Sequence, residues 1–453
     1  MTPEPAPSPS RLRRLLGLGF ALAVAVGGTL GTGVLSSPAE LARALPHQPA
    51  FGLALWLLGG LYTLLAANTL AELAGRYPQA GGWYGYAEAA FGEFAAVAVA
   101  WADWTSSCVT GALVALLIGD YLGQLLQPFV KLPNHSFTIW LGLGSILILG
   151  AIQLRGLREG SRVQEITALL LLLGLLAVLG GSSALPAAPN PVLTAATLLP
   201  GIGFWPGAAA VVAGLQVVVF AYDGWYAPIY FAEEIPQPGR TLSMALLAGV
   251  GVVLALYLAL HLSLARVLPA AQLAASALPL ADVAAVLAGP LGRRLTLAVG
   301  VAALLGVLNS VLLMATRVLF ALGRDGHLPA SLARVHARGT PRPALAVAVA
   351  LTAGLTLSGT VAGLEAVTSI LFVGYYVVGF AALFRVRKAA SRGQKPVYVG
   401  YRAWAHPAST TLLVGLSLAF LALNAVLAPT PALVAALLVA GSFPLWRYGK
   451  RSK

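Results

Sequence analysis

Apolar runs about twenty residues long recur twelve times along this chain, and no other feature limits its fold as much. A bilayer's hydrocarbon core is about 30 Å thick, so one helical crossing takes about 20 apolar residues. The runs lie near 15–42, 51–74, 94–126, 137–155, 163–184, 207–232, 241–267, 293–322, 343–360, 364–386, 408–427 and 430–447. Of the 453 residues, 58% are hydrophobic and 9% charged, against roughly 25% charged in an ordinary soluble domain. Spacing and composition predict an all-α integral membrane protein with twelve transmembrane helices. The first, third, sixth and eighth runs exceed one straight crossing and are expected to tilt, break or extend past the bilayer.

The net charge of +13 does not indicate nucleic acid, because the Lys and Arg lie in the gaps between apolar runs. With the N-terminus inside, 22 of the 28 fall in inner segments and 5 in outer ones, and Arg317 lies within a span. That asymmetry predicts a multi-pass plasma-membrane protein with both termini cytoplasmic. Residues 1–14 are Pro-rich and basic and are expected to be disordered, and 448–453 form a basic cytoplasmic tail. No small-residue cleavage site follows the first run, which therefore reads as a membrane helix and not a removed signal peptide. One cysteine, Cys108, rules out an intramolecular disulfide. The six His are scattered without metal-ligand spacing, so neither metal nor cofactor is expected. An enzyme would need acids, His or Cys clustered on one face, and a sensor a soluble domain. Neither pattern is present.

Two spans carry signs of interruption. The first contains VGGTLGTGVLSSP (26–38), with Gly27, Gly28, Gly31 and Gly33 ahead of Pro38. One reading is close helix packing through small residues spaced four apart. The other is an unwound segment whose free N–H groups, around Gly31, Thr32 and Gly33, face an anionic group. The sixth span contains FAYDGWYAPIYFAEE (220–234), where Asp223-Gly224 is a turn-type pair inside an apolar run. A break there frees the carbonyls of Phe220, Ala221 and Tyr222 to attract a cation or ammonium. Gly31 and Asp223 each lie 16 residues into their spans, and five spans separate the two starts. An odd repeat enters from the opposite side, so spans one to five (15–184) and six to ten (207–386) form an inverted repeat. Two further helices (408–447) follow. Interrupted segments at matching places in two halves point to a midplane site in a transporter. A positive and a negative half-helix end suit the carboxylate and ammonium of an α-amino acid.

Four stretches resemble the amino acid–polyamine–organocation superfamily, whose members have a LeuT-type fold of two inverted five-helix repeats with broken helices one and six. They are GGTLGTGVLSSP, AELAGRYPQAGGWYGYAEAAFG (71–92), FAYDGWYAPIYFAEEIPQPGRTL (220–242) and NSVLLMATRVLFALGRDGHLP (309–329). The resemblance implies secondary transport of amino acids by alternating access. It places the carboxylate at Gly31–Gly33 and the ammonium at Phe220, Ala221 and Asp223. Tyr222 and Trp225 fall near the gate, and Ser106, Ser107, Cys108, Trp225 and Asn309 among the selectivity positions. Many sodium-independent members carry a Lys in the fifth helix, eight residues after the Val of a VQ pair. Here the pair is Val163-Gln164 and the eighth residue on is Leu171. A lysine-based proton mechanism is therefore in doubt, which leaves exchange, sodium coupling or another proton carrier.

Asp223 has three readings: proton carrier, counter-charge to the substrate's ammonium, or cap of a broken helix. Glu72, Arg76, Glu233, Glu234 and Arg317 sit at inner span ends, either as interfacial anchors or as an ion-pair gate. The expected substrates are neutral L-amino acids, since no acid or Lys surplus marks the pocket. A cationic amino acid or polyamine is the alternative, and a channel a remote one. The expected partners are this substrate and the bilayer, with any partner protein left open.

Overall fold

In hydrocarbon every backbone N–H and C=O must find its partner within the protein, and a helix achieves this inside one segment. The computed structural model describes residues 12–45, 49–127, 135–185, 204–359, 364–393 and 400–452, and among them it is all helix, turn and coil. Span one becomes α1 (Leu18–Leu35) and α2 (Ser37–Ala44), span two α3 (Pro49–Arg76). A short helix, α4 (Trp83–Phe91), precedes span three, α5 (Glu93–Leu126). Spans four and five are α6 (His135–Arg155) and α7 (Leu157–Ser183). Span six is α8 (Phe204–Tyr222) followed by a 3-10 helix over Ala227–Glu234, and span seven is α9 (Pro238–Val267). After the short α10 (Ala270–Ala275) come α11 (Pro279–Arg324), α12 (Arg342–Leu357), α13 (Leu364–Ser391) and α14 (Ala408–Leu427). The last span is α15 (Pro429–Ala440) with α16 (Ser442–Ser452).

Among the described residues, ten helical segments are long and apolar enough to cross a membrane. Leu18–Gly31 and Arg342–Leu357 are apolar but shorter. The chain is thus a multi-pass membrane protein. Exposed side chains such as Trp140, Ile148, Ile166 and Leu437 fit an exterior that meets lipid.

Three details differ from the sequence reading. α4 was not foreseen, because its nine residues are too short for a span; Gly82 and Gly92, both at positive φ, set it off. The eighth span begins earlier than expected, at Pro279, and kinks at Ala288–Gly289 ahead of Pro290. The expected basic tail is helical over Tyr448–Ser452, inside α16. Residues 1–11 of the expected disordered tail lie outside the described residues, as do the tail's Lys453 and the predicted loop cations Lys131 and Lys395.

α1 occupies the middle of the molecule and packs against α7, α8, α9 and α11. The most extensive helix contacts join α3 to α9 and α5 to α11. α14, α15 and α16 lie to one side, on α3, α5 and α13.

Candidate functional site

Span six is interrupted where the Asp-Gly pair stands. α8 ends at Tyr222, Asp223–Tyr226 form a turn, and the 3-10 helix begins at Ala227. Gly224 sits at φ +96°, a conformation side chains avoid. A Cβ there would also come within 2.6 Å of the Gly28 carbonyl oxygen. The turn thus lies directly on the backbone of α1. Within it the Asp223 amide donates to the Phe220 carbonyl at 3.2 Å.

Span one departs from expectation. α1 stays helical through Gly31–Gly33, and the chain turns at Ser36. The packing reading of its glycines fits these contacts. A Cβ on Gly31 would strike Val307 of α11 at 2.0 Å. A Cβ on Gly33 would lie 2.1 Å from the Tyr257 hydroxyl and 2.8 Å from the Ala221 carbonyl. The turn at Asp223-Gly224 meets Gly28 instead of Gly31, so equal depth in the two spans did not identify the contact. The side chain of Thr32 lies outside the described residues.

Against this crossing lies a small cavity of about 30 Å3. Gly28 lines it from α1, Ser107 and Thr110 from α5, and Phe220, Asp223, Gly224 and Tyr226 from the interrupted span. Val307, Ser310, Val311 and Met314 of α11 and Phe372 of α13 complete the wall. The Thr110 hydroxyl is buried without a hydrogen-bond partner among the described residues. Ser310 Oγ makes a 3.6 Å contact with Met314 Sδ. Buried polar groups left in that condition are candidates to bond a ligand.

Asp223 is held by hydroxyls. Tyr376 donates to one carboxylate oxygen at 2.5 Å and Tyr226 to the other at 3.3 Å. Tyr226 and Tyr375 hydroxyls meet at 2.7 Å. Among the described residues no Lys, Arg or His forms an ion pair with Asp223. A carboxylate in this setting is left with room for a cationic partner. Asp103, which unlike the partly exposed Asp223 is fully buried, accepts the Tyr230 hydroxyl on both carboxylate oxygens, at 2.8 and 2.7 Å.

Several predicted residues stand beside the cavity without lining it. The Ala221 carbonyl accepts the Tyr257 hydroxyl at 2.6 Å, and the same hydroxyl lies 3.1 Å from the Thr29 carbonyl. Tyr222 turns away to bond the Trp56 carbonyl at 3.0 Å, and Trp225 packs edge-on against Trp83. Ser106 bonds back to the Asp103 carbonyl, and Cys108 is buried. Of that run only Ser107 reaches the wall, since neighbours on a helix point about 100° apart. Asn309 belongs to a separate knot: its amide donates to Gln164 and Gly160 and its oxygen accepts from Gln153. Ser310 beside it lines the cavity instead. Thr110, Tyr226 and Phe372 were missed: Thr110 and Phe372 sit on α5 and α13, whose sequence carries no motif for facing inward, and Tyr226 ends the Asp-Gly turn, whose side-chain directions the motif does not give.

The predicted inner-end charges pair off. Arg317 meets Glu234 at 2.9 Å, and Arg324 meets Glu233 at 2.7 Å. Glu72 binds Arg76 at 2.8 Å and Arg387 at 2.5 Å, and also accepts the Ala403 amide at 2.8 Å. Arg387 and the backbone of Ala403 were not foreseen, because both come from loops or helices far along the chain. Leu171, at the position where the resemblance points to a Lys, is buried in an apolar cluster with Val307 and Leu304.

These features define an all-helical membrane protein with a buried polar cavity at an interrupted helix. A family model described as amino acid permease matches residues 16–446. The chain belongs to the amino acid permease family, within the amino acid–polyamine–organocation superfamily, and is a transporter-family protein and not an enzyme. It is similar to the serine/threonine exchanger SteT of Bacillus subtilis (strain 168), at 28% identity over 83% of each chain. It also resembles the Asc-type amino acid transporter 1 of Mus musculus, at 27% identity over 80% of this chain and 67% of that one. The large neutral amino acids transporter small subunit 2 of Homo sapiens is 27% identical over 71% of this chain and 60% of its own.

Proposed function

We propose that this protein moves neutral L-amino acids across the plasma membrane by alternating access. The observation that carries this reading is the Asp223-Gly224 interruption, which lays a partly buried carboxylate, with no ion pair among the described residues, beside a cavity lined by the hydroxyls of Ser107, Thr110 and Ser310. The substrate's ammonium faces Asp223 and the hydroxyls of Ser107, Thr110 and Ser310. Its side chain meets Phe220, Val307, Met314 and Phe372. Its carboxylate is taken by the N–H groups of Gly31–Gly33 once that stretch of α1 opens.

A cavity of about 30 Å3 holds a water or two, far less than an amino acid. Loading therefore needs the helices to part. The Glu72, Glu233 and Glu234 ion pairs act as the inner gate, and Trp56, Tyr222 and Tyr257 close the opposite end.

The twelve-span, LeuT-type arrangement is supported by contacts between spans five apart: α1 with α8, α3 with α9, α5 with α11 and α6 with α12. The Lys and Arg bias favours cytoplasmic termini. The exchange named for the Bacillus subtilis relative, and Leu171 in place of Lys, favour antiport over a lysine-based proton symport. Asp223 remains the position where a proton-coupled mechanism would act. A cationic amino acid or polyamine is the second reading, favoured by the lone carboxylate.

The test is uptake of a panel of radiolabelled amino acids into liposomes holding the pure protein. Each is measured with an empty lumen, a preloaded amino acid, a sodium gradient and a proton gradient. Uptake that needs preloading identifies an exchanger. Proton-driven uptake abolished by Asp223→Asn makes Asp223 the proton carrier. No uptake of any amino acid or amine under any condition overturns the reading.

A further inference from the structure

Away from the central cavity lies a groove of about 500 Å3 between α5, α13 and α15. Ala98 and Ala102 line it from α5, Gly374 and Tyr375 from α13, and Ala432 and Ala436 from α15. Its volume is in the range of roughly 300–1,000 Å3 that suits a small ligand. All three helices lie within the apolar spans. The one polar side chain among its lining residues is Tyr375, and that hydroxyl is already engaged with Tyr226 at 2.7 Å. The groove therefore offers apolar contact and no free polar group to an occupant.

Beyond the lining residues, α13 and α16 continue to cations mounted on aromatic rings. Arg385 of α13 lies 4.6 Å from the Phe91 ring centre and donates to the Ala90 carbonyl at 3.2 Å. Arg447 lies 4.8 Å from the Phe443 ring centre and Lys450 lies 5.0 Å from that of Trp446. Trp446 in turn meets Phe94 at 5.4 Å, next to Ala95 in the groove wall. These contacts gather the cation-bearing ends of α13 and α16 at the start of α5. Rings at a membrane interface anchor there, and a cation over a ring face is held in place without an acidic partner.

We propose that the groove holds an acyl chain of an anionic phospholipid, with its phosphate at Arg385, Arg447 and Lys450. An apolar trough of this size ending in cations matches a chain and a negative headgroup, the two halves of one molecule. In the orientation proposed above this end faces the cytoplasmic leaflet, where anionic lipids concentrate. The chain lies against the Tyr375 ring and so bears on the Tyr375–Tyr226–Asp223 contacts.

The test is native mass spectrometry of the full-length protein in detergent, titrated with phosphatidylglycerol or with phosphatidylcholine of the same chains. The proposal expects phosphatidylglycerol to bind more tightly. Each cation removed should weaken it roughly fivefold, so Arg385→Ala, Arg447→Ala and Lys450→Ala together should erase the preference. Gly374→Leu should weaken both lipids, because a Cβ on Gly374 meets nothing within 4 Å and the longer side chain enters the groove. Equal binding of the two lipids by the unaltered protein would overturn the headgroup assignment. Unchanged binding in Gly374→Leu would overturn the groove assignment. A lipid-free dimer that Gly374→Leu dissociates would assign the groove to a second copy of the chain. The measurement needs neither transport nor a defined orientation, so its failure is distinct from failure of the transport reading.

Discussion

Arg317 of α11 and Glu234, the last residue of the 3-10 helix, meet at 2.9 Å with neither side chain exposed to solvent. The guanidinium also lies 5.0 Å from the Phe231 ring centre and donates to the Leu313 carbonyl. Breaking a buried pair by removing one partner leaves an uncompensated charge and costs about 3–5 kcal/mol. Arg317→Met or Glu234→Leu alone is expected to lower the detergent unfolding temperature sharply. The double variant should recover most of the loss, since replacing both partners by apolar groups is often neutral. Equal destabilisation by the double variant would contradict this account.

Glu72 ties three separate pieces of chain together: Arg76 one turn on, Arg387 of α13, and the amide of Ala403. Glu72→Gln is expected to release the segment around 400–407 more than it unfolds the helices. Limited trypsin digestion measures this at Arg402, which is exposed. Cleavage there should speed up several-fold, and an unchanged rate would show that the segment is held elsewhere.

The glycines of α1 should divide by what they touch. A Cβ on Gly33 meets the Ala221 backbone at 2.8 and 2.9 Å as well as Tyr257. Gly33→Ala is therefore expected to separate α1 from α8 and abolish uptake. A Cβ on Gly28 lies 3.3 Å from Ser310 Oγ, a side chain able to give way. Gly28→Ala should fold normally yet bind substrate more weakly, because it shrinks the cavity. Melting curves and saturation uptake on both variants check the contrast.

Tyr257 spans two carbonyls, Ala221 and Thr29, from a third helix. Tyr257→Phe leaves them without that donor, at a cost of about 1–3 kcal/mol. Uptake is expected to fall further than stability, since the lost contact links α1 to the interrupted span. A variant with normal uptake would make the contact structural only.

Much of the fold was legible in the sequence because lipid removes choices. Each apolar run of membrane length became helix, and the positive φ of Gly224 answers to a local signal, Asp-Gly within an apolar run. The paired acids at span ends were legible as charges, but their partners were not. Glu72 could not be assigned Arg387, 315 residues away, from spacing alone. Local composition left Gly31–Gly33 open, because glycine suits a break and close packing alike. The neighbours, Val307, Tyr257 and Ala221, show these glycines packed in the arrangement described.

The amino acid order by itself determined which segments form apolar helices and where span six stops, because hydrophobic length and backbone conformation are local properties. The tertiary structure decided which faces of those helices meet. It brought Gly28 to Gly224, turned Ser107 and Ser310 inward while Ser106 and Asn309 were spent on other bonds, and gave Glu72, Asp103 and Glu234 their partners. Those outcomes depend on helix rotation and crossing, which the packing of several distant segments sets together.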